Sequence, residues 1–531
     1  MPCVRSVARG GLPNRRSFCG KNPALSAYPY TRGTAQCAEM LPRTRQEEVP
    51  ATLTPRARVS ALSGDSILLG LAVFCGVVWL VFDQVPRFLQ GDSISYLGTR
   101  WHGWMPPDRS WVFGLFVNSL WRITGGFLGF IVIQILLYAV TAYVVARTAV
   151  LKCPGAAAKA SIAWLFIAFA CVDPLTNLYV RFYMSDIVAV CAFALWICLA
   201  ARFVDGNGWQ LLALALLMLA LIVVAVFTRV AYVPIGVGTL MLYLAARWRT
   251  LVASQRLKAA VAALMPILAA LLIAFANFQV FRDTGVTDRP FLTRMSSLFL
   301  LGVFAPAIDV DDFERAGVPL SREEFEALKL DDYSLRIFHV WGSGPNALRV
   351  LLKEKLKVED DYSPRLDAAA GRVVASAAAR HPAALAEVYL TNLRHYFTPS
   401  EWHREIRREL GVDRQLPPDF LETMNSLGSA RLYPEMTAAP SPLLKLFLWT
   451  LPFYPIYIAV SAALAAVLIL RRSTTTFVAL GCAAVWVTLL LAPLYSNYVI
   501  PRYLLATVFF GHLAIAVTIT ACARWAARAR T

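Results

Sequence analysis

Residues 210–247 read QLLALALLMLALIVVAVFTRVAYVPIGVGTLMLYLAAR, which is two apolar runs separated at Arg229. Each run approaches the length of about 20 residues that an α-helix needs to cross the hydrocarbon core of a bilayer. The arginine must lie where the chain turns back, because a lone cation is costly inside lipid. The stretch therefore predicts a helical hairpin within a membrane.

The same pattern recurs along the chain. Hydrophobic residues make up 58% and charged residues only 16% of the 531 positions, which excludes an ordinary soluble globule. We predict an all-α polytopic membrane protein with about ten transmembrane helices. The predicted spans are 66–82, 127–149, 160–173, 185–203, 210–228, 230–246, 260–281, 443–470, 474–494 and 502–523.

The run 110–123, SWVFGLFVNSLWRI, is predicted to lie in the membrane interface as an amphipathic helix, because it is short and carries Asn118 and Arg122. With that choice, the strong basic clusters fall on one side, which the positive-inside rule identifies as the cytoplasm. Both termini are then cytoplasmic, and the loop 83–126 and the region 282–442 share the outer face. The net charge of +17 reflects this topology and a basic tail, so it is weak evidence for a nucleic-acid partner.

Four segments follow from this organisation. Residues 1–62 are predicted to be a disordered basic tail, in which Met40 offers an alternative start. Residues 63–281 form an N-terminal membrane domain, 282–442 a mainly helical outer domain, and 443–531 the last three membrane helices with a short tail. None of the ten cysteines lies in 282–442, so this region is not a disulfide scaffold.

The first outer loop carries Asp92, with Tyr96 one helical turn later, and His102. A carboxylate beside the membrane can serve as a base for an acceptor hydroxyl, although the same residue could simply cap an interfacial helix. A second acid, Asp186, opens the helix that follows the turn PLTNLYVRFYMSD, with Arg181 nearby. Acids at membrane depth usually serve a site, while helix capping is the structural alternative.

Two arginines oppose the positive-inside trend. Arg229 lies in the outer turn of the hairpin quoted above, and Arg502, followed by Tyr503, opens the last helix from the same side. Each arginine invites an anionic partner, or else extends to lipid phosphates. Two such arginines facing two acids favour a site.

These residues resemble a known family, the GT-C membrane glycosyltransferases, such as protein O-mannosyltransferases and aminoarabinose transferases. Asp92 and Tyr96 match the spacing of the family's D-E-x-x-Y motif at the start of the first outer loop. A Pro-containing interfacial segment (Pro106-Pro107), the acid at a helix mouth, the arginine turn and a late R-Y dipeptide follow in the family's order. The second acid of the motif is Ser93 here, so this position lacks the carboxylate that the family has.

The resemblance implies inverting transfer of a sugar from a polyprenyl-phosphate donor to a lipid, glycan or protein acceptor, on the outer face of a bacterial inner membrane. Asp92 and Asp186 would be catalytic residues. Substrate-binding residues would be Tyr96, His102, Arg181, Arg229, Arg502 and Tyr503. A divalent cation, Mg²⁺ or Mn²⁺, is an optional cofactor. The alternatives are a ligase or polymerase of O-antigen type, which would rely on outer-loop arginine and histidine such as His395, and a lipid-linked glycan transporter.

Overall fold

A computed structural model describes residues 55–530 except 85, 90, 91, 154, 285, 286, 288, 333–335, 343, 410–440 and 497. Every extended regular element in this part is helical, and residues Val59–Thr531 form one compact unit. The helices of the membrane part are Pro55–Phe82 (α1), Asp92–Gly98 (α2), Trp111–Thr124 (α3), Phe127–Val150 (α4), Ala156–Val172 (α5), Pro174–Tyr179 (α6), Asp186–Asp205 (α7), Gln210–Thr228 (α8), Tyr232–Arg247 (α9) and Ala253–Phe281 (α10).

The chain continues through a smaller set of helices and then returns to long apolar ones. The intermediate helices are Ser296–Phe304 (α11), Val310–Arg315 (α12), Arg322–Leu328 (α13), Arg336–Trp341 (α14), Leu348–Leu356 (α15), Pro364–Arg380 (α16), Pro382–His395 (α17) and Pro399–Glu409 (α18). The last helices are Pro442–Thr450 (α19), Tyr454–Leu470 (α20), Thr476–Tyr495 (α21) and Leu505–Ala529 (α22), with α19–α20 and Pro501–Ala529 each continued through a 3₁₀ turn.

Within the described residues, seven helical segments are long and apolar enough to cross a membrane, so the chain is a multi-pass membrane protein. All ten predicted spans coincide with helices. Three of them have shorter apolar stretches of 10–17 residues, which are Ser66–Phe82 within α1, α5 and α9. At 1.5 Å per residue, such a stretch is about 25 Å long at most. Whether these three cross the bilayer stays a prediction.

Several other predictions can be compared with the structure. The helix α3 occupies the predicted amphipathic run, and it buries one face that includes Trp111, Val117 and Trp121. Ser321 and Glu324 form a capping box at the start of α13, since each side chain accepts the other's backbone N–H. The helix α1 begins at Pro55, within the predicted tail 1–62, and proline suits the first position of a helix. Most of the predicted tail, with Met40, lies outside the described residues.

The region between α10 and α19 has a core of its own. Buried residues from α11, α12, α15 and α16, including Leu298, Phe313, Leu352 and Val373, pack together as one apolar cluster. The region is also joined to the membrane helices, since the Tyr389 hydroxyl donates to the backbone oxygen of Leu490 near the end of α21. The predicted mainly helical character of 282–442 is thus confirmed for its described part.

Basic loops meet at the opposite end of the bundle. Lys152 lies 2.6 Å from the carboxylate of Asp205, which also accepts a hydrogen bond from Thr476. Arg247 donates to the backbone oxygen of Ile469, and Lys258 donates to the side chain of Asn207. Loops that the charge pattern assigned to a single side are therefore together at one end, called here the basic end.

A buried ionic network ties three distant segments together. The Asp83 carboxylate lies 3.0 Å from the guanidinium of Arg87 and 3.9 Å from that of Arg181, and all three side chains are fully buried. Ser441, at the start of α19, donates to Asp83 and accepts from Arg87. The network joins the end of α1, the turn before α7 and the start of α19.

Candidate functional site

A short backbone pairing brings the first loop to the mouth of α7. The amide of Arg87 donates to the Arg181 oxygen, and the amide of Tyr183 donates to the Arg87 oxygen. Ser93 adds a side-chain bond to the backbone oxygen of Tyr183. Because this pairing aligns the residues before α2 with those before α7, it places Asp92 beside the start of α7.

Asp92 lies among three arginines from three parts of the chain. One carboxylate oxygen, Oδ1, is 2.7 Å from Arg109, and the other, Oδ2, is 2.7 Å from Arg502. Arg229 lies 3.9 Å from the same Oδ2 atom. The sequence predicts that the acids face Arg229 and Arg502, and the structure brings Asp92 together with both arginines.

Asp186 completes the group. Its carboxylate lies 2.6 Å from Arg229, and its side chain is 6% exposed. Ser185, which precedes it, makes no capping bond to α7; its hydroxyl instead donates to the Thr228 oxygen and meets the Tyr96 hydroxyl at 3.2 Å. Asp92 and Asp186 therefore form one ion-pair network with the arginines. This network, called here the Asp-Arg cluster, consists of Asp92, Asp186, Arg109, Arg229 and Arg502.

Arg109 is a further member of this cluster, and it was not predicted from the sequence. Arg109 bridges Asp92 and Asp108. Its guanidinium donates one hydrogen bond to Asp92 and two, of 3.1 and 2.6 Å, to the Oδ2 atom of Asp108. The 293–294 segment holds this stretch, because Thr293 donates to the Asp108 oxygen and the Arg294 amide donates to the Pro107 oxygen. An Asp-Arg dipeptide after two prolines reads as a solvated loop, so only the three-dimensional contact reveals its role.

The helix α3 supports the segment that carries Asp92 and Tyr96. Asn118 donates to the backbone oxygens of Tyr96 and Thr99 at the end of α2. Gly114 lies against the same residues: a Cβ added there would be 2.7 Å from the Cβ of Thr99 and 3.1 Å from the Tyr96 oxygen. The close approach of α2 and α3 therefore requires glycine at position 114.

We expect Gly114→Ala to destabilise the protein by about 1–2 kcal/mol, since overpacking forces the backbone of α2 away from α3. Gly70→Ala is the matched control, because a Cβ at position 70 meets no atom within 4 Å. Thermal unfolding in detergent measures both. Equal melting temperatures for the two variants would show that α3 does not hold α2 in this way.

The remaining predicted residues lie in different places. Tyr96 is buried in the cluster, and Tyr503 lies beside it, with its ring centroid 5.5 Å from the guanidinium carbon of Arg502. His102 is in an exposed turn. Arg181 belongs to the buried Asp83 network and donates to the backbone oxygens of Asp83 and Asn177. The Arg181 side chain thus lies in a hydrogen-bonded ionic network, and the substrate contact suggested for it stays a prediction.

The arginines determine the charge state of Asp92. Burial opposes ionisation, but the guanidinium groups of Arg109, Arg502 and Arg229 outweigh it and hold the pKa of the Asp92 carboxyl well below its ordinary value. Burial raises the pKa of Tyr96, which therefore stays neutral. In the resting protein Asp92 is thus a fixed anion with little tendency to take up a proton.

The carboxylates of the cluster do not fit a divalent cation. Asp92 and Asp186 already contact guanidinium groups, and a metal ion beside three arginines would meet strong repulsion. Ser93, at the position of the family's second acid, is buried and bonds to backbone groups. No group of three or more metal-ligating side chains occurs among the residues that the structure describes.

The cluster can thus hold an anion with arginines, and it presents a carboxylate next to that position. The supporting residues come from α2, the loop before α3, the mouth of α7, the turn between α8 and α9, and the start of the Pro501–Ala529 segment. No protein-family model, curated protein or solved structure matches the chain.

Proposed function

We propose that the chain is a membrane glycosyltransferase that takes a sugar from a polyprenyl-phosphate donor. The observation that carries the proposal is the Asp-Arg cluster, in which two acids and three arginines converge at one end of an apolar helix bundle. Arginines suit the donor's phosphate because their donors match its oxygens. A carboxylate beside them suits the acceptor's hydroxyl.

In the proposed reaction, the acceptor oxygen forms a bond to the anomeric carbon of the sugar. The bond from that carbon to the phosphate oxygen breaks, and its electron pair stays on the leaving phosphate. The acceptor proton moves to Asp92. Attack from the side opposite the phosphate inverts the anomeric configuration.

Arg229 and Arg502 are assigned to the leaving phosphate, whose negative charge grows as the bond breaks. Both guanidinium groups already hold carboxylates in the resting protein, at 2.6 and 2.7 Å. Groups that are preorganised in this way stabilise the developing charge without having to reorient. Asp186 holds Arg229 in position and thereby orients it.

We infer the orientation in the membrane from the distribution of charge. The basic end contains Lys152, Arg247 and Lys258, and such loops face the cytoplasm in multi-pass proteins. The cluster would then face the outer side, which in a bacterial inner membrane is the periplasm. A lipid-linked donor and an outer acceptor could meet there at the bilayer edge, which lowers the entropic cost of bringing them together.

Replacing Arg502 by Gln tests the phosphate assignment. We expect the kcat/KM for transfer from a polyprenyl-phosphate sugar to fall about a hundredfold, which is the size of effect found when one charge-stabilising donor is removed. Arg122→Gln is the matched control, because Arg122 is exposed on α3. Equal losses in both variants, or no loss at Arg502, would contradict the assignment.

A further inference from the structure

The arginines of the Asp-Arg cluster already contact carboxylates before any substrate binds. In the described part of the chain, Asp92 and Asp186, together with the neighbouring Asp108, face Arg109, Arg229 and Arg502. A phosphate that enters this group meets guanidinium groups that carboxylates already occupy. Either the phosphate binds weakly, or it replaces one of the carboxylates.

Asp92 is the carboxylate that the geometry allows to be replaced. Its side chain is 22% exposed, whereas those of Asp186 and Asp108 are 6% and 3% exposed. Its Oδ2 atom contacts Arg502 and lies 3.9 Å from Arg229, the two arginines assigned to the phosphate. Its Oδ1 atom contacts Arg109, which Asp108 anchors from the other side.

We propose that Asp92 is a resident anion in the donor's phosphate position, and that the entering phosphate displaces its Oδ2 atom from Arg502 and Arg229. This inference rests on the proposed function. Arg109 keeps its hold on Oδ1, so the side chain turns without leaving the site. Oδ2 is then released toward the acceptor only when a donor is present.

The displacement resolves a chemical conflict in the resting site. A carboxylate that three guanidinium groups stabilise is a weak base, as the low pKa of Asp92 indicates. When the phosphate takes over two of those groups, the carboxylate loses part of their stabilisation and its proton affinity rises. The donor would thus activate the base for its own reaction, and the acceptor could not be deprotonated in its absence.

The Nε atom of Arg229 adds an independent observation. This atom is buried and has no hydrogen-bond acceptor within the described part of the chain. Arg229 therefore has a donor left over after its contact with Asp186. A phosphate with several acceptor oxygens can use that donor, whereas the Asp92 carboxylate does not.

The test is the binding of polyprenyl phosphate to the full-length protein in nanodiscs of neutral lipid. Removing the resident anion with Asp92→Asn should tighten binding by about tenfold, a modest value for coupling between close charges. Asp92→Glu keeps the charge and should bind no tighter than the wild-type protein. Binding by Asp92→Asn that is equal to or weaker than that of the wild-type protein would overturn the proposal.

Inorganic phosphate and the neutral polyprenol form two further arms of the experiment. We expect Asp92→Asn to tighten the binding of both phosphate compounds and to leave polyprenol binding unchanged, because the displaced group is an anion. A gain with polyprenol would point instead to a change in the lipid groove, and it would overturn the charge argument. Gel filtration and thermal unfolding establish that each variant is folded.

A double-mutant cycle locates the effect. In an Arg502→Gln background, Asp92→Asn should give a clearly smaller gain in phosphate affinity, since the Arg502 guanidinium is no longer there to bind the phosphate. Gains of equal size in both backgrounds would overturn the proposed displacement. If the gain is present but no donor supports sugar transfer, the phosphate site stands and the glycosyltransferase proposal fails. If sugar transfer occurs but Asp92→Asn does not tighten phosphate binding, the glycosyltransferase proposal stands and the proposed displacement of Asp92 fails.

Discussion

Asp92→Asn is expected to lower kcat for sugar transfer about a thousandfold, within the range that a positioned general base contributes. The amide keeps the size of the side chain but cannot accept the acceptor's proton. Asp92 is the acid of the cluster that contacts two arginines directly and is most exposed to an incoming substrate. Transfer of labelled sugar by the purified protein, at saturating donor, measures the loss.

Asp283→Asn makes the same chemical change at a side chain that is 86% exposed, and it should leave kcat unchanged within a factor of two. The ligase-type alternative expects the large loss from His395→Ala instead. Wild-type activity in Asp92→Asn would rule out Asp92 as the base.

The second large effect concerns stability. Asp83→Asn is expected to destabilise the protein by about 3–5 kcal/mol, because it removes the negative charge that both buried arginines contact. Burial already lowers the pKa of Arg181 to about 10 even with Asp83 present. The same change also weakens the hydrogen bonds of Ser441, which caps α19.

Thermal unfolding in detergent measures this loss, again with Asp283→Asn as the exposed control. Sugar transfer by the protein that remains folded should keep its wild-type kcat, since Asp83 contacts no member of the Asp-Arg cluster in the described contacts. A melting temperature equal to that of the wild-type protein would show that the network contributes no net stability. A normal melting temperature with lost activity would instead move Asp83 into the site.

The fold was largely predictable because the signal for a membrane helix is local. A run of apolar side chains identifies α8, α10 and α21 without knowledge of their neighbours. The sequence pattern predicted the lengths of the helices less well. The helix α9 is 16 residues long, and hydropathy alone does not say whether a short helix spans, tilts or ends inside the protein.

The site was predictable in part, and for a physical reason. Arg229, Arg502 and Asp186 stand out because charge at the end of an apolar helix is costly without a partner. Arg109 gave no such signal, since it lies in a polar loop where charge is ordinary. Arg181 is close in sequence to Asp186, but closeness in sequence does not determine the direction of a side chain. The turn at 180–183 pairs with the first loop and sends the Arg181 side chain to Asp83.

The most direct test of the central claim is a donor panel assayed with the wild-type protein in proteoliposomes. Polyprenyl-phosphate sugars and soluble nucleotide sugars are offered separately, each with labelled sugar and a mixture of membrane acceptors. We predict labelled product from at least one polyprenyl-phosphate sugar and none from the nucleotide sugars. Product from nucleotide sugars alone, or no product from any lipid-linked donor, would contradict the proposed function.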